Sequence, residues 1–333
     1  MGISGAFGAA CLGTLLLFIL GPIVIDKLYK YFTPAVTGSV VLSVGLCLIL
    51  NAWNDMVDFN STGPDAMKMF LIGIGVAALC VIIDQFAKGI VQSLSVLITM
   101  AVGYIFCAVL GMVDFSSVGG ASWVSIPAPM HFGMSFNVGA IITIFIVHIA
   151  TIMENSGNTT GVVTAADVGL PSKETLKASV RGDALGGVVS TLFNCLPTCV
   201  AAQNSGVAVM SGVASRWVTA IAGIIFALMA VFPKFSQILA LIPNPVLGGI
   251  LLVNFGSIIA SGIKIIGFDK NNKRNFTVVS LATAIGIGGN FAQSAGILAF
   301  LPPTVVTLFT GISGTAITAL ILNIILPKEK EEE

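Results

Sequence analysis

Pro197-Thr-Cys-Val-Ala-Ala-Gln-Asn-Ser-Gly-Val-Ala-Val-Met-Ser-Gly-Val-Ala-Ser-Arg216 is too polar for a lipid-facing helix, yet apolar runs flank it on both sides. Pro197 is expected to end the preceding helix and Thr198 to Ala202 to run extended, with Asn204 or Ser205 capping a new helix. Backbone that leaves helical geometry inside hydrocarbon exposes N-H and C=O groups at several kcal/mol each, so it occurs only where protein buries it or a cavity borders it. The stretch therefore reads as the edge of a binding cavity. The new helix would aim the positive end of its dipole, with free N-H groups, at whatever sits beside Gln203.

The surrounding composition is that of a membrane protein. Hydrophobic residues make up 56% and charged residues 9% of the 333, and the mean hydropathy is +1.01. These values lie far outside those of soluble domains. A net charge of zero gives no basis for a nucleic-acid partner. The closing Lys328-Glu-Lys-Glu-Glu-Glu333 run reads as a solvated tail. Cys11, Cys47, Cys80, Cys107, Cys195 and Cys199 lie in or beside apolar runs without metal-binding spacing, so they read as packing residues; no metal or cofactor is expected. The first apolar run lacks the basic start and small-residue cleavage site of a signal peptide.

Crossing the hydrocarbon takes roughly 20 apolar residues. About eleven runs qualify, some of them short, with approximate cores at 3–25, 33–50, 67–84, 90–112, 135–155, 180–196, 203–216, 217–232, 243–264, 275–289 and 303–326. If the first runs from outside to inside, all of the 15 Lys and Arg residues except Lys68 and Lys234 fall on the cytoplasmic side. The positive-inside rule then puts the C-terminus in the cytoplasm and the N-terminus of this chain outside. Such a start implies that further spans precede Met1.

A faint internal echo points the same way. Pro34-Ala-Val-Thr-Gly-Ser-Val-Val opens one span and Pro245-Val-Leu-Gly-Gly-Ile-Leu-Leu opens another. The plain alternative is that Pro at a helix start followed by Gly is common in membrane helices. Read as a transporter-type repeat, the four spans before Pro245 match only one before Pro34, leaving three unmatched.

Glu154 ends the apolar run from Phe136, and a carboxylate at membrane depth is by default functional. At helical spacing it shares a face with Val147, Ala150, Thr151 and Asn158. The competing reading is a cytoplasmic-end Glu that snorkels to water, but Val162 and Val163 continue the apolar pattern beyond it. His148 reads as a packed or hydrogen-bonded helix residue rather than a proton relay. Asp183, beside Arg181, is open between capping the next span and a functional role. Gln203 and Asn204 place amide donors and acceptors together at the helix break, suited to the edge of a planar heterocycle, although amides also join helices. Gly206 and Gly212 allow close helix approach. No phosphate loop, His-Glu-x-x-His or nucleophile elbow occurs, and His131 and His148 have no catalytic partners in the pattern, so no enzyme is expected.

Gln203-Asn-Ser-Gly-Val-Ala-Val-Met-Ser-Gly212 resembles the signature of the nucleobase/ascorbate transporters, the xanthine/uracil permeases, with Ser211 where Thr is usual. Met153-Glu-Asn-Ser-Gly157 is similar to that family's Glu-x-x-Gly segment, and Ile242-Pro-Asn-Pro-Val-Leu-Gly-Gly249 to its Pro-Val-Leu-Gly-Gly segment. The resemblance implies an all-α polytopic fold, with these eleven spans corresponding to the fourth to last of fourteen in two inverted seven-span repeats. It implies a core domain from 1–25 and 132–232, a gate domain from 33–112 and 243–326 through which two copies dimerise, a tail from 327–333, and motion of core against gate like an elevator. It places Glu154, Ala202, Gln203, Asn204 and Gly206 at the substrate, with Glu154, Asn158 and Asp183 as candidates for proton coupling. Asn158 stands where Asp or His is common in the family. By the same resemblance the chain is a proton-coupled nucleobase symporter of the plasma or inner membrane, with Na+ as the alternative coupling ion, and Gln203 favours xanthine or urate over uracil. The alternatives are a uracil permease, a truncated membrane fragment that does not transport, and an anion carrier of the related sulfate-transporter fold.

Overall fold

The computed structural model describes residues 2–57, 64–120, 122–165, 171–198, 200, 215–267, 273–302, 305–306 and 309–327. Among them the chain is helical with no strand. The helices are α1 (Ile3–Leu28), α2 (Pro34–Met56), α3 (Pro64–Phe86), α4 (Ile90–Ser93), α5 (Ser95–Val109), α6 (Ser116–Gly120), α7 (Val138–Ala165), α8 (Lys173–Leu192), α9 (Arg216–Ala230), α10 (Pro233–Ala240), α11 (Asn244–Ile266), α12 (Lys273–Ser294) and α13 (Gly311–Ile325). Every expected span has a helix, except the one at 203–216, which lies outside the described residues. Among the described residues five helices, α1, α2, α3, α11 and α12, are long and apolar enough to cross a membrane, and the all-α polytopic reading holds.

The boundaries differ from expectation where a local signal overrides hydropathy. Helix α8 begins at Lys173, before its apolar part, because Ser172 caps it: its Oγ accepts from Thr175 N at 3.1 Å. It ends at Leu192, five residues before Pro197. The stop is a Schellman cap in which Asn194, at φ 63°, takes the left-handed position usually given to Gly. Asn194 N donates to Thr191 O at 3.2 Å and Cys195 N to Ser190 O at 2.9 Å, satisfying the last carbonyls. The expected span at 217–232 is followed by a helix the sequence reading did not include: α10 starts at Pro233 and turns 93° from α9.

The chain packs as two compact units. One comprises residues 1–47, 128–205 and 257–333. There α1 packs on α7 and α8, and α12 on α13. Leu17, Ile25, Ile152, Leu176, Val180 and Ala184 form one buried cluster, and Val36, Val40, Val278, Ala282, Ala316 and Ala319 belong to another. Small residues bring backbones together: a methyl group on Gly187 of α8 would lie 2.9 Å from Thr14 Cγ2 of α1, and one on Gly262 of α11 would lie 2.7 Å from Leu42 Cα of α2. The hydroxyls that accompany this packing return to their own helices, as Thr14 Oγ1 does to Ala10 O and Cys11 O, both at 2.9 Å. Arg274, at the start of α12, donates to Asn323 O (2.6 Å) and Leu326 O (3.3 Å), so its guanidinium closes the carbonyl end of α13. Asn194 also anchors the segment before α7, donating to Ala128 O at 2.7 Å and accepting from Phe132 N at 3.3 Å, and Phe132 stacks on Phe7 with centroids 5.9 Å apart.

The other unit comprises residues 48–127 and 206–256. Ile72, Val76, Cys107, Ile242, Val246 and Ile250 make its core. Gly249 of α11 meets the backbone of Gly73 in α3 with no room for a Cβ. Lys234 of α10 sits 4.0 Å above the ring of Trp123. The boundaries between the units cut through α2 and α11, so they group residues by packing and leave the expected core and gate division as a proposal.

Candidate functional site

The polar residues of α7 cluster in its second half, where they meet α8 and the non-helical chain that follows it. Asn155 is 2% exposed, and its Oδ1 accepts from Ser179 Oγ at 2.7 Å and from Thr159 Oγ1 at 3.3 Å, while Thr159 and Ser179 lie 2.8 Å apart. One carbonyl oxygen thus ties two turns of α7 to α8. Asp183 stands on α8 one turn beyond Ser179.

Asn158 makes the decisive link. It is 4% exposed, and its Nδ2 donates to Val200 O at 2.9 Å. Helix α8 ends at Leu192, and residues 195–198 and 200 have no helical assignment. Asn158 therefore holds non-helical backbone against α7, two residues before Ala202. Position 154 lies one turn earlier on the same face of α7, about 6 Å along the axis. The Glu154 helix and the non-helical chain at Val200 are neighbours.

The sequence-predicted residues can now be placed. Glu154 lies on α7, and only its backbone is described. Asn158 lies on α7, three residues beyond Asn155, and Asp183 on α8, one turn beyond Ser179. Ala202, Gln203, Asn204 and Gly206 lie outside the described residues, as does the expected cap at Asn204 or Ser205. The capping role open for Asp183 is removed: α8 is capped by Ser172, and Asp183 stands nearly three turns inside it. His148 is 8% exposed, a packed helix residue, with neither ring nitrogen hydrogen-bonded among the described residues. Sequence reading missed Asn155, Thr159 and Ser179. Their signal was faint: polar residues at helical spacing on two successive spans, whose pairing only the helix packing reveals. At the cytoplasmic end by the expected orientation, Asp26 of α1 takes Lys173 at 2.7 Å and Lys177 at 2.8 Å, fixing α1 to α8 below this cluster. The Asp26 and Glu174 carboxylates beside Lys177 raise its ammonium pKa above the usual lysine range. Among the described residues no group of His, Cys, Asp and Glu could hold a metal ion.

Comparison with known proteins accounts for this arrangement. The model of the "Permease family" for xanthine and uracil carriers matches residues 1–295. The chain is 31% identical to uric acid permease PucK of Bacillus subtilis over 323 residues, covering 95% of this chain and 70% of that protein. It is 31% identical to xanthine permease XanP of Escherichia coli K12 over 338 residues, covering 97% and 72%. It is 30% identical to nucleobase transporter PlUacP of Paenibacillus larvae over 320 residues, covering 92% and 71%. A match over that much of the chain, on a multi-pass helical protein, has one meaning: the chain belongs to the xanthine/uracil permease family of nucleobase/ascorbate transporters, which are membrane carriers and not enzymes.

Proposed function

We propose that this chain is a secondary active transporter of nucleobases, a proton-coupled symporter with xanthine or urate as its preferred substrate. The observation that carries the reading is the hydrogen bond from Asn158 to Val200 O, because it seats the Glu154 helix beside the chain leading into Gln203-Asn204. A planar purine fits such a place: Glu154 accepts from ring N-H groups, and the Ala202 backbone and Gln203 amide hold the opposite edge. Asn204 and Gly206 shape the helix start whose dipole faces the base. The relatives named for uric acid and xanthine support a purine over uracil.

Coupling follows from the chemistry of the same cluster. Glu154 and Asp183 are the groups that change charge on taking up a proton, and Asn158, which does not titrate, acts through its hold on Val200. Core segments 1–25 and 132–232 carry the substrate past gate segments 33–112 and 243–326, and two copies associate through the gate in the plasma or inner membrane.

The test is uptake of radiolabelled xanthine by cells that lack xanthine carriers of their own and express this chain. Accumulation that a protonophore abolishes, that sodium removal leaves intact and that urate inhibits more strongly than uracil is the expected result. Uptake no greater than in cells carrying an empty vector would refute transport, and uptake that follows the sodium gradient would replace the proton as the coupling ion.

A further inference from the structure

A groove of about 770 Å³ runs between α3 and α5. Leu71, Ile72, Val76 and Leu79 line it from α3, and Val102 and Phe106 from α5. It lies open beside Gly75, where a Cβ would meet nothing within 4 Å. Among the described residues its charged ones are Asp65 and Lys68 in the first turns of α3, 3.5 Å apart, with side chains 87% and 72% exposed. From Asp65 to Leu79 the helix advances about 21 Å. Half of the ~30 Å hydrocarbon core is about 15 Å, so the groove reaches from headgroup level to the bilayer middle.

In a bilayer an apolar groove gains nothing from merely being apolar, since lipid tails are as apolar as leucine. Selectivity for one occupant has to come from shape and from the charged rim. That rim carries both signs. Lys68 matches a phosphate, and Asp65 matches a cation that donates hydrogen bonds. A headgroup with no amine would leave its phosphate facing Asp65, and a quaternary ammonium has no N-H to donate.

We propose that the α3–α5 groove is a lipid site that takes one acyl chain of an aminophospholipid, with the headgroup phosphate on Lys68 and its primary ammonium on Asp65. On the expected orientation this lipid belongs to the outer leaflet.

Native mass spectrometry of the detergent-purified chain, with phosphatidylethanolamine or phosphatidylglycerol added back after delipidation, tests this. One phosphatidylethanolamine retained per chain is expected, and Lys68→Ala should weaken retention about tenfold, as for the loss of one charge-assisted bond. Gly75→Phe, which fills the groove where no atom stands in the way, should abolish retention, and Gly75→Ala should leave it nearly intact. Equal retention of the two lipids, or undiminished retention by Gly75→Phe and Lys68→Ala, would overturn the proposal. Gly75→Phe that splits a dimer without changing bound lipid would overturn it in favour of a second copy on this face. Lys68→Ala alters only an exposed side chain, so it decides the matter if Gly75→Phe does not yield monodisperse protein.

Discussion

Asn158→Ala removes the one side chain that, among the described residues, holds Val200 against α7, and the size of its effect can be worked out. The deleted bond is 2.9 Å long, its donor is 4% exposed, and its acceptor belongs to non-helical backbone. Side-chain hydrogen bonds inside membrane proteins average about 0.6 kcal/mol, with a maximum near 1.7, because alternative partners are found within the membrane. A carbonyl outside any helix has fewer alternatives, which places this bond toward the upper end. If the chain before Gln203 must be seated for a base to bind, apparent affinity falls with the fraction of protein that has it seated. A loss of about 0.6–1.7 kcal/mol is then roughly a 3- to 20-fold rise in the KM for xanthine. Uptake by cells with matched surface expression measures it. The maximal rate should change less than KM, since Asn158 does not itself exchange a proton. Asn158→Ala with KM within a factor of two of the parent would refute the argument that this bond prepares the site.

Glu154→Gln keeps the shape and removes the titrating group, so the protein should reach the membrane yet lose protonophore-sensitive accumulation, with xanthine binding weakened about tenfold for each charge-assisted bond lost; equilibrium binding and uptake against pH are the measurements. Gln203→Glu replaces a group that donates and accepts by one that, ionised, only accepts, so competition assays should show preference moving from xanthine and urate toward uracil. Gly262→Leu drives a side chain into a backbone where even a methyl would sit 2.7 Å from Leu42 Cα, and overpacking of this kind costs about 1–3 kcal/mol or more; size-exclusion profiles of the detergent-extracted protein should show loss of the monodisperse peak. Reporter fusions after Glu333 and after Asp114 should score cytoplasmic and external, and reversed signals from both would overturn the orientation drawn from the basic residues.

The helices were legible in the sequence because crossing hydrocarbon imposes a length and a composition that residues display openly. Their ends were less so. Helix α8 stops at an Asn in the left-handed conformation, and the eye seeks Gly or Pro there, so Pro197 drew the boundary five residues late. The turn into α10 was marked by Phe232-Pro233, yet hydropathy does not distinguish a span's end from a helix folded back at 93°. Glu154 and Asn158 were singled out from depth and helical spacing, which are local properties. Asn155 and its partners were not, because Ser179 is 24 residues away and only the packing of α7 on α8 makes it a neighbour. Gln203 and its neighbours were singled out by polarity in an apolar context, and the bond from Asn158 to Val200 supports their place by bringing the adjoining chain to α7.

The pairing of α1 with α7 and α8 also sets a timetable for synthesis. Gly187, against which Thr14 packs, is made 173 residues after it. At about 5–20 residues per second a ribosome needs roughly 9–35 s for that stretch. For most of this interval α1 sits in the bilayer without α7, and until its end without the Gly187 turn of α8. Its threonine does not depend on them, because both of its hydrogen bonds close within α1, to Ala10 O and Cys11 O. The first helix is thus polar enough to pack closely at the end and self-sufficient enough to wait, and a side chain at position 14 that needed α8 to satisfy it would expose the newborn chain to quality control for the whole delay.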